Sequence, residues 1–207
     1  MPFVTEDEYQ RLLASSRENQ ELHRRLEALE REATIDALTG LHRRPVLDRA
    51  LERERNRRAR AAEGGHAVEP LTLLFIDIDH FKRVNDTFGH QVGDTVIAAV
   101  AKTVKDSLRI TDLAVRWGGE ELAVLLPATD IDGAFSLADR IRQSVAELVI
   151  TTPAMQPVPV TISIGVACAA SAPIDQNDVT VELLHRADQA LYQAKNGGRN
   201  RVCQLAA

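Results

Sequence analysis

The 207-residue chain has only two cysteines, Cys168 and Cys203. They have neither the spacing of a metal-ligand pair nor the density of a secreted disulfide scaffold, so reduced structural thiols and a cytoplasmic setting are expected. Long apolar runs are missing as well: no window approaches the roughly 20 residues of a membrane-spanning helix. The start, Met1-Pro2-Phe3-Val4-Thr5-Glu6-Asp7, lacks the basic opening and apolar stretch of a signal peptide. A soluble chain with no membrane span follows as an expectation. Excess positive charge is also absent. Lys and Arg number 25 against 30 Asp and Glu, a net charge of -5 with a pI near 5.7, which argues against general affinity for nucleic acid. One local exception, residues 43–60, carries eight arginines against three acids. With Glu54 four residues from Arg58, it reads as a solvated helix rather than a polyanion surface. There is no internal repeat or low-complexity segment, and the length suits one core with a short extension rather than an added sensor domain.

Glycine and proline are missing from residues 5–33, where Leu12, Asn19, Leu22, Leu26, Leu29 and Ala33, with Ser15, follow an alternating seven-residue pattern. This predicts an N-terminal helix over residues 1–33 with a narrow seam, read as a parallel dimeric coiled coil in which Asn19 fixes register. Glu21 with Arg25, and Glu27 with Arg31, add four-apart pairs outside the seam. After Gly40 the patterns predict helices near 43–62, 80–87, 93–108, 131–149 and 179–195. Strands are predicted at 71–78, 159–169 and 202–205, with a hairpin at 113–126. The order implies an α/β fold, a single domain over residues 34–207 with a central mixed β-sheet flanked by helices.

Arg116-Trp117-Gly118-Gly119-Glu120-Glu121-Leu122 places two acids at the tip of that hairpin. Gly118 and Gly119 allow the positive φ of a two-residue turn and leave room for a phosphate. Upstream, Leu73-Leu74-Phe75-Ile76-Asp77-Ile78-Asp79 is too apolar for a surface strand, yet it closes on two carboxylates. A buried strand with acids at its exit suggests a metal.

Gly118-Gly119-Glu120-Glu121-Leu122 resembles the signature of the GGDEF domains, the diguanylate cyclases that condense GTP into cyclic di-GMP. The resemblance covers residues 34–203 in five motifs. Asp36-Ala37-Leu38-Thr39-Gly40-Leu41 is similar to the opening motif. Asp77-Ile78-Asp79-His80-Phe81-Lys82 with Asn85-Asp86 resembles the metal and phosphate segment, and Gly89-His90-Gln91-Val92-Gly93-Asp94 the guanine segment. Ala194-Lys195-Asn196-Gly197-Gly198-Arg199-Asn200 resembles the closing motif. Such a set in the family's order is far more specific than Gly-Gly-Glu-Glu alone, and it implies a fold akin to the palm of nucleotide cyclases and polymerases.

Joining two nucleoside triphosphates needs in-line attack of a 3′-hydroxyl on an α-phosphorus while pyrophosphate leaves, and divalent cations stabilise the accumulating charge. Mg²⁺ takes one or two protein carboxylates and completes its shell with phosphate oxygens and water, a part Asp77, Glu120 and the backbone carbonyl of Ile78 could fill. The resemblance implies these ligands with two Mg²⁺ (or Mn²⁺) ions per site, and gives Glu121 either metal contact or removal of the hydroxyl proton. Asp79 suits an N-cap for a helix starting at His80, turning the amides of Phe81 and Lys82 toward phosphate. Lys82, Lys195 and Arg199 match the family's clamp on the β- and γ-phosphates. Asn85 and Asp94 match its guanine-binding pair, with His90 bordering the base. Adenine would leave Asp94 facing a lone pair, at about 1 to 3 kcal/mol, so GTP is preferred over ATP.

The resemblance further implies one GTP per domain, hence a homodimer with substrates antiparallel, and the N-terminal coil would raise the effective concentration of one domain beside the other. Arg109-Ile110-Thr111-Asp112, five residues before the Gly-Gly pair, with Arg140, matches the family's RxxD site for inhibition by product, whose guanine edges and phosphates suit guanidinium groups. Two departures stand out: Leu122 where Phe is usual, an apolar exchange on the core side, and Arg43 where the opening motif commonly has Asn. Rival readings are a catalytically silent cyclic di-GMP receptor and a related dinucleotide cyclase accepting ATP.

Overall fold

The structure, a computed structural model, describes residues 34–169 and 179–205; the seam expected in residues 1–33 lies outside the described residues. Strand β2, Leu71–Ile78, is buried along its whole length, as a strand covered on both faces must be. It pairs antiparallel with β4, Glu121–Pro127, and on its other edge with β5, Ile162–Ala169. β3, Leu113–Gly118, runs antiparallel to β4. β1, His42–Arg43, lies parallel to β3, and β6, Val202–Gln204, parallel to β5. The sheet order β1-β3-β4-β2-β5-β6 is the mixed sheet flanked by helices that the sequence predicts.

Alternation along the strands sorts the core into two layers. Leu74, Ile76 and Ile78 face Val96, Val100 and Val104 of α3 (His90–Asp106) and Ile141 of α4 (Ile131–Ala146). Leu71, Leu73 and Phe75 face Leu47 and Leu51 of α1 (Arg44–Glu63) and Leu183, Ala187 and Leu191 of α5 (Val179–Asn196). Leu122 is fully buried in the first layer, so the departure from Phe is a packing change. A short helix α2, Phe81–Phe88, follows β2. Among the described residues no helix is long and apolar enough to cross a membrane.

Gly165 sets the spacing of the second layer. A Cβ there would overlap the Ala187 carbonyl and the Leu191 amide of α5, so this helix lies backbone against backbone on β5. The arginine-rich helix α1 is committed inward more than its composition suggests. Arg58 does not pair with Glu54; it is buried at 6% exposure and donates to the Glu69 carbonyl. Glu54 pairs instead with Arg57 at 2.9 Å, which also reaches Glu69 at 2.8 Å. The Arg44 guanidinium lies 4.0 Å over the Trp117 ring, and Trp117 meets Phe75 edge-on with centroids 5.0 Å apart. Helix α3 starts at His90 rather than 93, directly after Gly89 at φ 84°.

Candidate active site

Asp77, last but one in β2, and Glu121, first in β4, are direct cross-strand partners. Like charges placed opposite each other are unfavourable, and both carboxyls are pushed up: Asp77 by burial, against the pull of Lys195 and with a push from Glu120 and Asp79, and Glu121 by burial and then by Asp77. Lys195, brought over the sheet because α5 packs so closely on Gly165, places Nζ 2.7 Å from Asp77 Oδ2. Ile78 is buried beside Asp77 at the strand end. A hollow of about 200 Å³ opens here between Glu121, Asp188, Gln189, Leu191, Tyr192 and Lys195.

Glu120 sits in the two-residue turn between the paired Gly118 and Glu121. Only Gly119 of the two glycines takes positive φ, 40°; Gly118 ends β3 in extended backbone, contrary to the expectation that both would turn. The turn is braced from outside. Arg116 donates through Nε and Nη2 to the Gly119 carbonyl at 2.9 and 2.8 Å, and through Nη1 to both Asp36 carboxylate oxygens at 3.1 Å. Asp36 also accepts from the Thr39 amide at 3.0 Å and hydroxyl at 2.7 Å. Burial would raise its pKa, but the Thr39 hydrogen bonds and Arg116 hold it below the ordinary value. Sequence reasoning passed over Arg116, although it stands in the same motif as the two acids.

Asp79 does not cap α2. His80 occupies the cap position in left-handed backbone, φ 55°, without a side-chain cap, and the Asp79 carboxylate is held by Thr161, Ser163 and Asn200. Phe81 and Lys82 do open α2, where first-turn amides lack intrahelical partners. Asn85 follows in α2, and its Oδ1 is buried with no hydrogen-bond partner. A Cβ on Gly93 would overlap that same oxygen and approach Phe81, so glycine at this place in α3 gives the Asn85 side chain its room. Gly93 is a further residue the sequence reading missed, despite lying inside the guanine segment. His90 and Asp94 stand exposed on the first turns of α3. Arg199 lies in left-handed backbone, φ 61°, just after α5.

Arg109 and Asp112 do not form a side-chain ion pair. The Asp112 carboxylate accepts from the Arg109 amide at 2.8 Å, a turn that leaves the Arg109 guanidinium exposed. Arg140 reaches this segment from α4, donating to the Ser107 carbonyl at 3.4 Å.

Among the described residues no three His, Cys, Asp or Glu side chains form a ready metal cage. The local charge nevertheless suits a cation: two opposed carboxylates with Glu120 nearby are offset by one lysine. The family model described as "Diguanylate cyclase, GGDEF domain" matches residues 33–201. The chain belongs to the GGDEF family. It is similar to diguanylate cyclase DgcP of Pseudomonas aeruginosa, 40% identical over 180 residues, 87% of this chain and 25% of DgcP. With diguanylate cyclase DgcM of Escherichia coli it shares 43% identity over 177 residues, 85% of this chain and 39% of DgcM; the chain thus spans well under half the length of these relatives. Among solved GGDEF structures it resembles the coiled coil and GGDEF domain of DgcB from Caulobacter crescentus in complex with c-di-GMP. The TM-score is 0.81 at 34% identity, covering 94% of this chain and 97% of that one.

Proposed function

We propose that the chain, as a homodimer, is a diguanylate cyclase that condenses two GTP into cyclic di-GMP and two pyrophosphates. The observation that carries this reading is the junction of Asp77, Glu121 and Lys195 at one end of the sheet, with Glu120 in the adjoining turn. Cyclases of this family generally use divalent metal ions. Asp77, Glu120, Glu121 and the Ile78 carbonyl would hold Mg²⁺ or Mn²⁺, two ions per site, which when bound offset charge on the phosphates. Lys82, Lys195 and Arg199 bind the β- and γ-phosphates, with the first amides of α2. The open Asn85 Oδ1 accepts from guanine while Asp94 takes its N1-H and amino group, and His90 borders the base. In the reaction the 3′-oxygen of one GTP bonds to the α-phosphorus of the other, pyrophosphate leaves, and the hydroxyl proton passes to an acceptor, a role open to Glu121 as the cross-strand partner of Asp77.

Two such steps close the ring, so each domain supplies half of the machinery and residues 1–33 bring the halves together as a coiled coil. The resemblance to a DgcB structure containing both a coiled coil and c-di-GMP supports that arrangement. Arg109, Asp112 and Arg140 form the inhibitory site for product; Arg109→Ala is expected to relieve inhibition by added cyclic di-GMP while leaving the initial rate intact.

The deciding experiment removes bound nucleotide, adds GTP and Mg²⁺, and seeks cyclic di-GMP by mass spectrometry with Glu120→Ala as control. Product from the parent alone is expected. No product together with tight binding of cyclic di-GMP would favour a receptor, and an adenine-containing product from mixed nucleotides would favour the ATP-accepting cyclase.

A further inference from the structure

Asp79 is buried at 6% exposure, and the chemistry above gives it no part. Its carboxylate accepts from the Ser163 hydroxyl at 2.6 Å, the Thr161 hydroxyl at 2.7 Å and the Asn200 amide at 2.9 Å. Its own amide donates to the Thr161 carbonyl at 2.9 Å. One side chain thus ties the exit of β2 to β5 and to the turn beyond α5.

That turn is an unusual piece of backbone. Gly198, Arg199 and Asn200 take φ values of 113°, 61° and 45°, a region uncommon for a residue such as arginine, though asparagine enters it more readily. Such conformations cost on the order of 1 to 3 kcal/mol each and persist where the surroundings over-determine them. The restraints are few: the Arg199 amide on the Ala194 carbonyl at 3.0 Å, the Ile164 amide on the Arg201 carbonyl at 2.9 Å, Arg201 Nε on the Arg199 carbonyl at 3.2 Å, Arg142 on Asn200 Oδ1 at 3.0 Å, and Asp79 on the Asn200 amide. Only the last comes from the exit of the strand that carries Asp77. Among the described residues the Arg199 guanidinium has no hydrogen-bond or ion-pair partner, so its backbone is fixed while its charge is uncommitted.

We infer that Asp79 is a positioning residue for the phosphate clamp: by holding the Asn200 amide it locks the 198–200 turn, and so places Arg199 for the β- and γ-phosphates. The inference rests on the GTP reading. Asp79→Asn keeps the volume but cannot accept from all three donors at once. The signature is selective, because a group acting through Arg199 affects only nucleotides that reach Arg199.

The test measures calorimetric dissociation constants of GMP and of α,β-methylene GTP, which cannot release pyrophosphate, for the full chain with Mg²⁺. Asp79→Asn is expected to weaken the triphosphate analogue by about tenfold, the scale of an outer-shell hydrogen-bond partner, and GMP hardly at all. In the Arg199→Ala background the same change is expected to add nothing further, since the two residues act as one unit. Equal weakening of both nucleotides, or additive losses in the double variant, would overturn the inference and leave Asp79 a support of the fold. A parent chain that binds the analogue no tighter than GMP would instead overturn the triphosphate clamp itself. Should Asp79→Asn not fold, Thr161→Val removes one of its three donors and is expected to give the same selectivity in smaller measure; unselective loss there also rejects the inference.

Discussion

The two sides of the site treat their polar groups in opposite ways. At the acidic end of β2 and β4, most polar groups are already answered from within: Asp77 by Lys195, Asp79 by three donors, and the hairpin turn by Arg116, which leaves Glu120 and Glu121 for a cation. Across α2 and α3, Asn85 Oδ1 is buried and unpartnered, and Asp94 and His90 make no hydrogen bond among the described residues. The difference follows from what each side receives. A buried carboxylate needs hydrogen-bond donors or a counter-charge, so Lys195 serves Asp77 until a ligand brings another. A base brings its own donors, and there the fold needs only to leave an acceptor unpaired, with Gly93 giving the Asn85 side chain its room.

If that contrast is right, damage on the two sides should look different. Glu120→Ala is expected to lower turnover by about a hundredfold or more with a much smaller change in GMP binding; a parallel loss of GMP affinity would break the contrast. Gly165→Ala, which drives a methyl into the backbone of α5, is expected to cost about 1 to 3 kcal/mol or more, read as a thermal midpoint lower by about 2 to 4 °C per kcal/mol. Gly93→Ala should spare folding and raise KM for GTP by roughly 5- to 150-fold, the equivalent of a buried polar group disturbed at 1 to 3 kcal/mol, with kcat changed less. An unchanged KM would mean that the open acceptor has no ligand. The smallest effect belongs to Asp36. Its folded carboxyl lies below 3.8, so its contribution to stability is complete above that value and lost as pH falls through the folded pKa. The difference in urea midpoint between parent and Asp36→Asn is therefore expected to be constant from pH 7 to about 5 and to shrink below about pH 4.

The sequence was legible where a pattern is local. The apolar run Leu71–Ile78 is the strand it predicts to be, and the hairpin and most helices appear within a few residues, because periodicity and flanking glycines act over a single element. Two-residue β1 carries no periodicity and was missed. Asp79 looked like a helix cap because caps are read from neighbours, whereas its partners lie 82 to 121 residues away. The closing motif presents Lys195 as a phosphate ligand and gives no sign of Asp77. The contact of Lys195 with Asp77 depends on how closely α5 approaches β5, a distance encoded in Gly165 rather than in either charged residue. Glu54 was given Arg58 as partner on spacing alone, and burial of Arg58 against the Glu69 carbonyl displaced it.

The Arg116 brace also bears on how separable the parts of this domain are. One guanidinium, shared by Asp36 and the Gly119 carbonyl, joins segments 80 residues apart in the chain, so the tip that carries Glu120 is not a self-contained cassette. A hairpin exchanged with one from a relative must arrive with an arginine at this position and meet an aspartate in the opening turn. Otherwise the graft leaves one unanswered charge behind and carries another with it.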